Sequence, residues 1–328
     1  MKRIILYSSL FIVLFAIGFF FAKNNNENLL TKRTQLLMGT LVEIQVKGLN
    51  ETEADKIITK AFDEIKRIDD LFSSHSDVGA ITKINNSGET LFAPHPEIFE
   101  VMLYCDSLNK ISKGAFDVSL GTLINEWDFG SSDHVLPSEK NISAAKSISG
   151  WKNIQINSNA SFTKTKGVQL NFGAIAKGYA VDKAIELLKR NGISTALVNA
   201  GGEIRELGSD WVVGIQHPRS STNLLGTLKL NGMAVATSGD YEQYFEINGK
   251  RYHHILDPTN GYPSEKCRSV TVIAQTDMEA DALATAVFVL GKDEGLNLIE
   301  RLENTEVMIV DSIGKIFYST GFEKYLVN

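Results

Sequence analysis

The sequence predicts an α+β fold, with mixed and antiparallel β-sheets flanked by helices. Apolar residues recur at helical spacing in several segments, and the stretch from residue 194 to residue 275 divides into short β-rich runs joined by short turns. The sequence has no internal repeat and no low-complexity linker after residue 36. One intertwined domain over 36–328 is therefore favoured over two separable domains.

The composition excludes several classes of function. The chain has 328 residues, of which 43% are hydrophobic and 22% charged, as in ordinary globular proteins. Its formal net charge is −6 and no long basic run follows the first three residues, which argues against nucleic acid as the main partner. The two cysteines lie far apart and outside any metal-ligand spacing. We therefore expect neither a zinc or iron–sulfur site nor a structural disulfide.

Residues 1–23 are predicted to be a signal peptide or a membrane anchor. Residues 4–22 carry no charge and, as a helix, would span about 28 Å, close to the ~30 Å hydrocarbon core of a bilayer. Lys2 and Arg3 precede this run, so the rest of the chain is expected on the extracytoplasmic side. Phe20 is bulky for a cleavage site, which favours a retained anchor. Residues 24–35 are predicted to form a polar linker.

Each secondary-structure element follows from its own local pattern. A helix over 53–73 has a stripe of apolar residues, and a helix over 96–112 has Pro96 in its first turn and Gly114 after its end. A third helix follows Gly173 and ends at Arg190, after a short strand over 168–172. The other predicted strands are 36–46, 194–199, 211–215, 226–230, 233–237, 241–247, 251–256 and 268–275. The remaining helices are 278–290 and 293–302, followed by a hairpin of 307–310 with 316–318.

Asp281 and Thr285 are candidate metal ligands. They lie four residues apart on a predicted helix and therefore share a face. A carboxylate and a hydroxyl beside small alanines offer hard oxygen ligands that suit Mg²⁺. The same spacing suits a structural role, in which Asp281 favours the helix dipole and Thr285 bonds to its own backbone. Spacing alone favours the structural role.

Two glycines and a lysine lie at a predicted strand-to-helix transition, at Gly173, Lys177 and Gly178. Free backbone N–H groups and an ammonium group can bind an anion at such a place. The segment matches neither the Walker loop nor the dinucleotide-binding glycine motif. Taken alone, it is better explained as a glycine-assisted turn with a solvated lysine.

Three further segments combine turn residues with polar side chains. Residues 199–203 would bring bare backbone close to a ligand or to a neighbouring strand. Residues 237–240 lack the frame of a nucleophile turn and are predicted to form a hairpin turn. His253 and His254 precede a proline turn. Because neighbouring strand residues point to opposite faces, at most one of the two is expected to line a given site.

Seven segments, taken in order along the chain, resemble the FAD:protein FMN transferase family, the ApbE proteins. The segments are 38–40, 114–119, 171–180, 199–203, 237–239, 254–261 and 281–285. Each is weak evidence alone, and their shared order makes the resemblance specific. It covers nearly all of residues 36–320.

The resemblance implies an ApbE-like, T-fold-like catalytic domain at 36–328 behind the N-terminal hydrophobic segment. It implies a bacterial enzyme outside the cytoplasmic membrane, with FAD as substrate and Mg²⁺, or else Mn²⁺, as cofactor. The enzyme would transfer the FMN half of FAD to a threonine or serine hydroxyl and release AMP. The acceptor would carry a Ser/Thr-Gly-Ala-Thr-type segment, as in a membrane redox subunit.

The resemblance also assigns roles to residues by their position in these segments. The metal would be held by Asp281, Thr285 and the carbonyl oxygen of Ala174. His254 would act near the attacking hydroxyl, with Asp257 orienting it. The nucleotide contacts would be Met38, His75, Ala115, Phe116, Asp117, Asn171, Lys177 and Ile255. Phe116, Tyr179 and Met38 are candidates for an apolar wall beside the flavin ring.

The chain departs from the family pattern at three places. It lacks the lipid-modified cysteine of many relatives, Asn171 stands where the family usually has Asp, and His75 or a neighbour falls where an aromatic residue commonly stacks on the nucleotide. Two other functions are compatible with the same residues. One is a Mg²⁺-dependent FAD pyrophosphatase that forms FMN and AMP, and the other is a membrane-tethered flavin-binding protein without turnover.

Overall fold

The computed structural model describes residues 29–88, 90–131, 133–208 and 211–327. Within these ranges the strands are β1 Leu30–Leu37, β2 Thr40–Lys47, β3 Leu91–Phe92, β4 Ile154–Asn157, β5 Ser161–Lys164, β6 Ala196–Ala200, β7 Glu203–Leu207, β8 Val212–His217, β9 Ser220–Lys229, β10 Ala234–Gly239, β11 Tyr244–Ile247, β12 Lys250–His253, β13 Cys267–Ala274, β14 Glu306–Asp311 and β15 Ile316–Tyr318. The α-helices are α1 Glu51–Phe72, α2 Ala80–Asn86, α3 Pro96–Ile111, α4 Gly121–Trp127, α5 Glu139–Ile148, α6 Ala176–Arg190, α7 Asp277–Leu290 and α8 Lys292–Ile299.

An 8-stranded sheet organises the domain, with the strand order β1-β2-β6-β7-β10-β13-β14-β15. Every neighbouring pair in it is antiparallel. A small sheet of β3, β5 and β4 and the hairpins β8–β9 and β11–β12 surround it. This combination of antiparallel sheets and packed helices confirms the predicted α+β class.

The two faces of the large sheet bury different cores, because successive side chains of a strand point to opposite faces. On β13, Val270 and Val272 pack into the core shared with helices α1, α6 and α7. Ile273, between Val272 and Ala274, packs instead against the β8–β9 hairpin. Helices α6 and α7 therefore lie on one face of the sheet, and α7 rests directly on β10 and β13.

The chain enters the sheet through a hairpin that begins earlier than predicted. Strand β1 starts at Leu30, so residues 30–35 belong to the sheet and the prediction of a polar linker there is wrong. An edge strand with one face toward solvent needs few apolar side chains, which hid β1 in the sequence. The turn residues Met38 and Gly39 have φ of 51° and 72°, typical of a two-residue hairpin turn. Asp69 holds the turn by accepting the N–H of Met38 at 3.1 Å.

Two predicted elements near the site are wrong. Residues 168–172 belong to no strand, because their backbone bonds go to a loop and a helix start: the Asn171 N–H donates to the Val118 carbonyl, and the Gln169 carbonyl accepts from Gly121. Residues 237–239 form no hairpin turn. They are the end of β10, and each pairs with a residue of β13.

No helix among the described residues is long and apolar enough to cross a membrane. The predicted signal peptide or anchor, residues 1–23, lies outside the described residues. Cys105 and Cys267 are both buried and unpaired.

Gly178 allows helices α6 and α7 to cross in close contact. A Cβ atom at Gly178 would lie 2.2 Å from the Asp277 carbonyl oxygen and 2.8 Å from the Met278 nitrogen. Both neighbours are backbone atoms, so neither can move aside without shifting a helix. Any larger residue at position 178 would push α6 and α7 apart.

Replacing Gly178 with alanine should therefore lower the free energy of unfolding by about 1–3 kcal/mol, the usual cost of overpacking. Gly130→Ala is the matched control, because nothing lies within 4 Å of a Cβ placed there. Urea denaturation of both variants gives the comparison. Equal stability of Gly178→Ala and the parent protein would contradict the close crossing.

Candidate active site

Helix α7 carries the predicted metal ligands Asp281 and Thr285, and a capping box fixes its N-terminus. The hydroxyl of Thr276 accepts the N–H of Glu279, and the Glu279 carboxylate accepts the N–H of Thr276. Asp281 is 4% exposed, and its Oδ2 accepts the N–H of Gly178 at 3.1 Å. Because Gly178 lies in the first turn of α6, the Asp281 carboxylate sits at the positive end of that helix.

Thr285 lies one turn beyond Asp281 and faces β10. Its Oγ1 is 3.2 Å from Oγ of Ser238, a buried residue that sequence reasoning placed in a turn and did not assign to the site. Ala174, the third predicted ligand, lies in the turn just before α6. The structure therefore brings Asp281 and Thr285 together with a second hydroxyl, and Asp281 reaches the helix end that Ala174 precedes.

These donors fit a divalent cation of the Mg²⁺ type. They are carboxylate, hydroxyl and carbonyl oxygens, and a small number of such ligands leaves positions for phosphate oxygens and water. Among the residues described, no group of three or more His, Cys, Asp or Glu side chains is placed to hold a metal ion. Burial and the negative charge of Glu203 raise the pKa of Asp281 to about 7. A cation beside Asp281 would offset both effects.

Lys177 is the positive centre of the site. Its Nζ lies 2.5 Å from Oε1 of Glu203, a residue that is 2% exposed. Burial alone would lower the pKa of Lys177. The negative charges of Glu203, Asp281 and Glu242 raise this pKa by more than burial lowers it, so the lysine stays charged. Burial raises the pKa of Glu203 to about 7, although Lys177 opposes that shift. The sequence did not predict a role for Glu203 or Glu242. The one signal in the sequence was that Glu203 follows the two glycines of 199–203.

His254 lies close enough to Lys177 to respond to its charge. Its Nδ1 is 3.3 Å from the Gln243 carbonyl oxygen, and because a carbonyl can only accept, the proton sits on Nδ1 and Nε2 is left free. Burial, His253 and Lys177 lower the pKa of His254 to about 4. The imidazole is therefore neutral near pH 7. His253 points the other way, as expected, with Nε2 2.8 Å from the Ser264 carbonyl oxygen.

Asp257, predicted to orient His254, makes its side-chain hydrogen bonds to another residue in this structure. Its Oδ1 accepts the N–H of Thr259 at 2.8 Å and the hydroxyl of Thr259 at 2.6 Å. Its backbone carbonyl accepts the N–H of Gly261. An aspartate that bonds to a residue two positions later is typical of a turn, and this one fixes the proline turn that follows His254.

The predicted nucleotide-binding residues divide between those that are at least partly exposed and those held by other contacts. Met38, Ala115 and Asn171 are half-buried and His75 is exposed. The Asn171 Oδ1 accepts the N–H of Gly173 at 2.8 Å, which shapes the turn before α6. The Asp117 carboxylate is occupied differently, since it accepts hydrogen bonds from Ser119 and from the backbone of Trp151.

Phe116 and Tyr179 cannot form the apolar wall predicted for a flavin ring. Phe116 is 1% exposed and packs in the main core. Tyr179 is 3% exposed, and its ring lies edge-on to Phe72 with centroids 5.6 Å apart. Ile255 is also buried, and both of its backbone polar groups have partners, the N–H with His253 and the carbonyl with Ser264. Of the three wall candidates only Met38 remains partly accessible.

A carboxyl group that sequence reasoning did not predict lies behind the site. Asp277, the first residue of α7, is fully buried, and its side-chain oxygens have no hydrogen-bond partner among the described residues. Burial and the nearby carboxylates of Asp182 and Glu203 raise the pKa of Asp277 well above its ordinary value. This side chain therefore holds its proton far into the pH range where an exposed aspartate is ionised.

A buried lysine and a carboxylate at one helix N-terminus, with a pair of hydroxyls one helical turn away, are typical of an enzyme site. The ApbE family model matches residues 38–328. The chain belongs to the ApbE family and is a transferase.

Individual relatives show how far the likeness extends. The FAD:protein FMN transferase of Klebsiella pneumoniae is 30% identical over 300 residues, which cover 90% of this chain and 93% of that protein. The one from Vibrio cholerae is 31% identical over 288 residues, covering 84% of each chain. The crystal structure of the ApbE protein from Thermotoga maritima has a TM-score of 0.85 and 32% identity, covering 92% of this chain and 100% of that one. The flavin transferase ApbE from Vibrio cholerae has a TM-score of 0.81 and 27% identity, covering 91% and 99%. These structures confirm the predicted ApbE-like fold.

Asp277→Asn should raise the free energy of unfolding at pH 8 above that of the parent protein. A raised folded-state pKa means that the unfolded chain loses its proton first, so Asp277 destabilises the fold increasingly as pH rises above its unfolded pKa. At pH 4 the difference should nearly vanish, because the protonated carboxyl is neutral like the amide. Urea denaturation at both pH values measures this. A loss of stability at pH 8 would mean that the aspartate has a stabilising partner.

Proposed function

We propose that this protein is a FAD:protein FMN transferase that moves the FMN half of FAD to a threonine or serine hydroxyl of an acceptor protein and releases AMP, in a Mg²⁺-dependent reaction. One observation carries the proposal: Lys177 lies in the first turn of α6, the Asp281 carboxylate accepts an N–H of that turn, and Thr285 follows Asp281 by one turn of α7, so a diphosphate and a divalent cation could bind side by side. The relatives named FAD:protein FMN transferase support the choice of substrate.

The charges of the site support the need for a cation. Lys177 faces three carboxylates, those of Glu203, Asp281 and Glu242. The diphosphate of FAD adds about two further negative charges near neutral pH. A helix N-terminus contributes only about half a positive charge. The site therefore has too little positive charge to bind the diphosphate unless a divalent cation enters with it.

Asp281, Thr285 and the Ala174 carbonyl would hold this cation. When bound, Mg²⁺ would offset the charge that develops on the bridging and leaving oxygens, which is worth several kcal/mol in phosphoryl transfer. Mn²⁺ takes the same kinds of oxygen ligand and would serve as a substitute.

In the proposed reaction, His254 accepts the proton of the attacking hydroxyl. Its neutral ring holds a free lone pair on Nε2, because the Gln243 carbonyl keeps the proton on Nδ1. The hydroxyl oxygen forms a bond to the phosphorus of the FMN half, the bond from that phosphorus to the AMP phosphate oxygen breaks, and the hydroxyl proton passes to Nε2. A bound diphosphate would offset the charge of Lys177 and so make His254 more basic than it is in the free protein.

The acceptor and the location belong to the same proposal. Small residues on both sides of the hydroxyl, as in a Ser/Thr-Gly-Ala-Thr-type segment, let it approach a phosphorus in a cleft. We propose such a segment in a membrane redox subunit as the acceptor. The composition of residues 1–23 supports a place on the extracytoplasmic side of a bacterial cell membrane.

Asp281→Ala should abolish FMN transfer while the protein remains folded. The full-length protein is incubated with FAD, Mg²⁺ and an acceptor carrying the proposed segment, and covalent flavin is detected as fluorescence of the acceptor after denaturation. Asp63→Ala, an exposed aspartate on α1, is the matched control and should keep full activity. Full transfer by Asp281→Ala would contradict the proposed cation site.

The same assay separates the two alternative functions. An equal rate of AMP formation with and without acceptor would identify a pyrophosphatase. Normal FAD binding with neither AMP nor flavinylated acceptor, across several acceptors, would identify a flavin-binding protein without turnover.

His254→Gln should slow transfer roughly 100- to 10,000-fold, the usual contribution of a general base. Glutamine keeps the size and polarity of the side chain but cannot take up a proton, so Mg²⁺-dependent FAD binding should stay within about twofold of the parent protein. Single-turnover rates and fluorescence titration of FAD measure the two effects. Equal loss of binding and rate would show that His254 acts in substrate binding instead.

A further inference from the structure

Helices α6 and α7 are joined by two carboxylates, one on each helix, and each carboxylate accepts backbone N–H groups of the other helix. Asp281 on α7 accepts the N–H of Gly178 on α6, as described above. Asp182 on α6 accepts the N–H of Asp277 at 2.9 Å and the N–H of Met278 at 3.0 Å. Each helix therefore has first-turn N–H groups bonded to a carboxylate of the other helix, in addition to the local capping box of α7.

Arg205, on the neighbouring strand β7, holds Asp182 in this position. Its guanidinium lies 2.5 Å from Asp182 Oδ1, the same oxygen that accepts the N–H of Asp277. Asp182 is 5% exposed, and both of its oxygens have partners. It has no free oxygen to offer a substrate or a cation, so any influence on the reaction passes through α7.

The position of α7 decides where the metal ligands stand. Asp281 lies one helical turn beyond Asp277, and Thr285 lies one turn further. The bonds from Asp182 to the first two N–H groups fix both the height and the rotation of α7 on α6. The missing Cβ of Gly178 brings the backbones into contact, so α7 has no space to approach further. A change in these bonds displaces both ligands together.

We propose that Asp182, held by Arg205, is the positioning residue of the cation site. It aligns Asp281 and Thr285 with the turn that carries Ala174. The inference rests on the proposed function, because it concerns the cation used in the proposed transfer.

Asp182→Asn tests the proposal with little change in side-chain size. The amide nitrogen cannot accept an N–H, so one of the two bonds to α7 is lost together with the charge that pairs with Arg205. Mn²⁺ affinity of the full-length protein, measured by the EPR signal of free Mn²⁺ in the presence of FAD, should fall at least about tenfold. In the transfer assay the half-saturating Mg²⁺ concentration should rise by a similar factor, while the rate at saturating Mg²⁺ recovers most of its parent value.

Thr276→Ala is the matched control. It removes the local cap of the same helix, and so lowers stability, but leaves the bonds between α6 and α7 in place. Its Mn²⁺ affinity should stay within about twofold of the parent protein. If Asp182→Asn does not fold, Arg205→Lys provides the same test, because lysine keeps the charge but supplies one compact donor.

The outcomes separate the inference from the proposed function. Unchanged Mn²⁺ affinity in Asp182→Asn, or in Arg205→Lys where that variant replaces it, would overturn the positioning role. So would an equal loss in Thr276→Ala, because the effect would then reflect general loosening of α7. A parent protein that transfers FMN without binding Mn²⁺ or Mg²⁺ would instead overturn the cation site of the proposed function.

Discussion

The contact between the N-termini of α6 and α7 is the constraint on which the site depends. The first N–H groups of each helix have no acceptor within their own helix, and each helix N-terminus carries a partial positive charge. Two such ends repel each other unless carboxylates lie between them. Asp182 and Asp281 supply those carboxylates, each from the opposite helix. Gly178 allows the backbones to approach closely enough for both bonds to form. One of these two carboxylates, that of Asp281, is also a ligand of the proposed cation site.

The same arrangement leaves the site with an excess of negative charge. Burial raises the pKa of Asp281 and that of Glu203 to about 7, so the folded chain holds protons that the unfolded chain would release above pH 4. Such groups reduce the stability of the free protein as pH rises from about 4 to 7. A cation next to Asp281 reverses this effect, since it favours the ionised carboxylate. Binding of the proposed cation would therefore be coupled to folding in this region.

The sequence predicted the elements with strong apolar periodicity and missed those defined by long-range contacts. The helices near 53–73 and 278–290 lie within two residues of α1 and α7, because each has a continuous apolar face. Helices α2, α4 and α5 were not predicted, since they are short and their polar faces dominate. Likewise, Glu203 and Ser238 join the site only through the pairing of distant strands, which no local pattern records. Phe116 and Tyr179 were misassigned because sequence shows that a ring is apolar but not which way it points.

The two interpretations of Asp281 that the spacing left open are compatible with each other. A carboxylate has two oxygens, and the structure uses Oδ2 for the Gly178 N–H. A structural role at a helix terminus is thus real, but the helix is α6, the neighbour of the one that carries Asp281. The local sequence could not show this, because it depends on where the N-terminus of α6 lies in the folded chain. The bond from Gly178 already restrains the carboxylate that the proposed cation site would use. A ligand oriented in this way loses little freedom when a cation binds, so the structural bond itself favours metal binding.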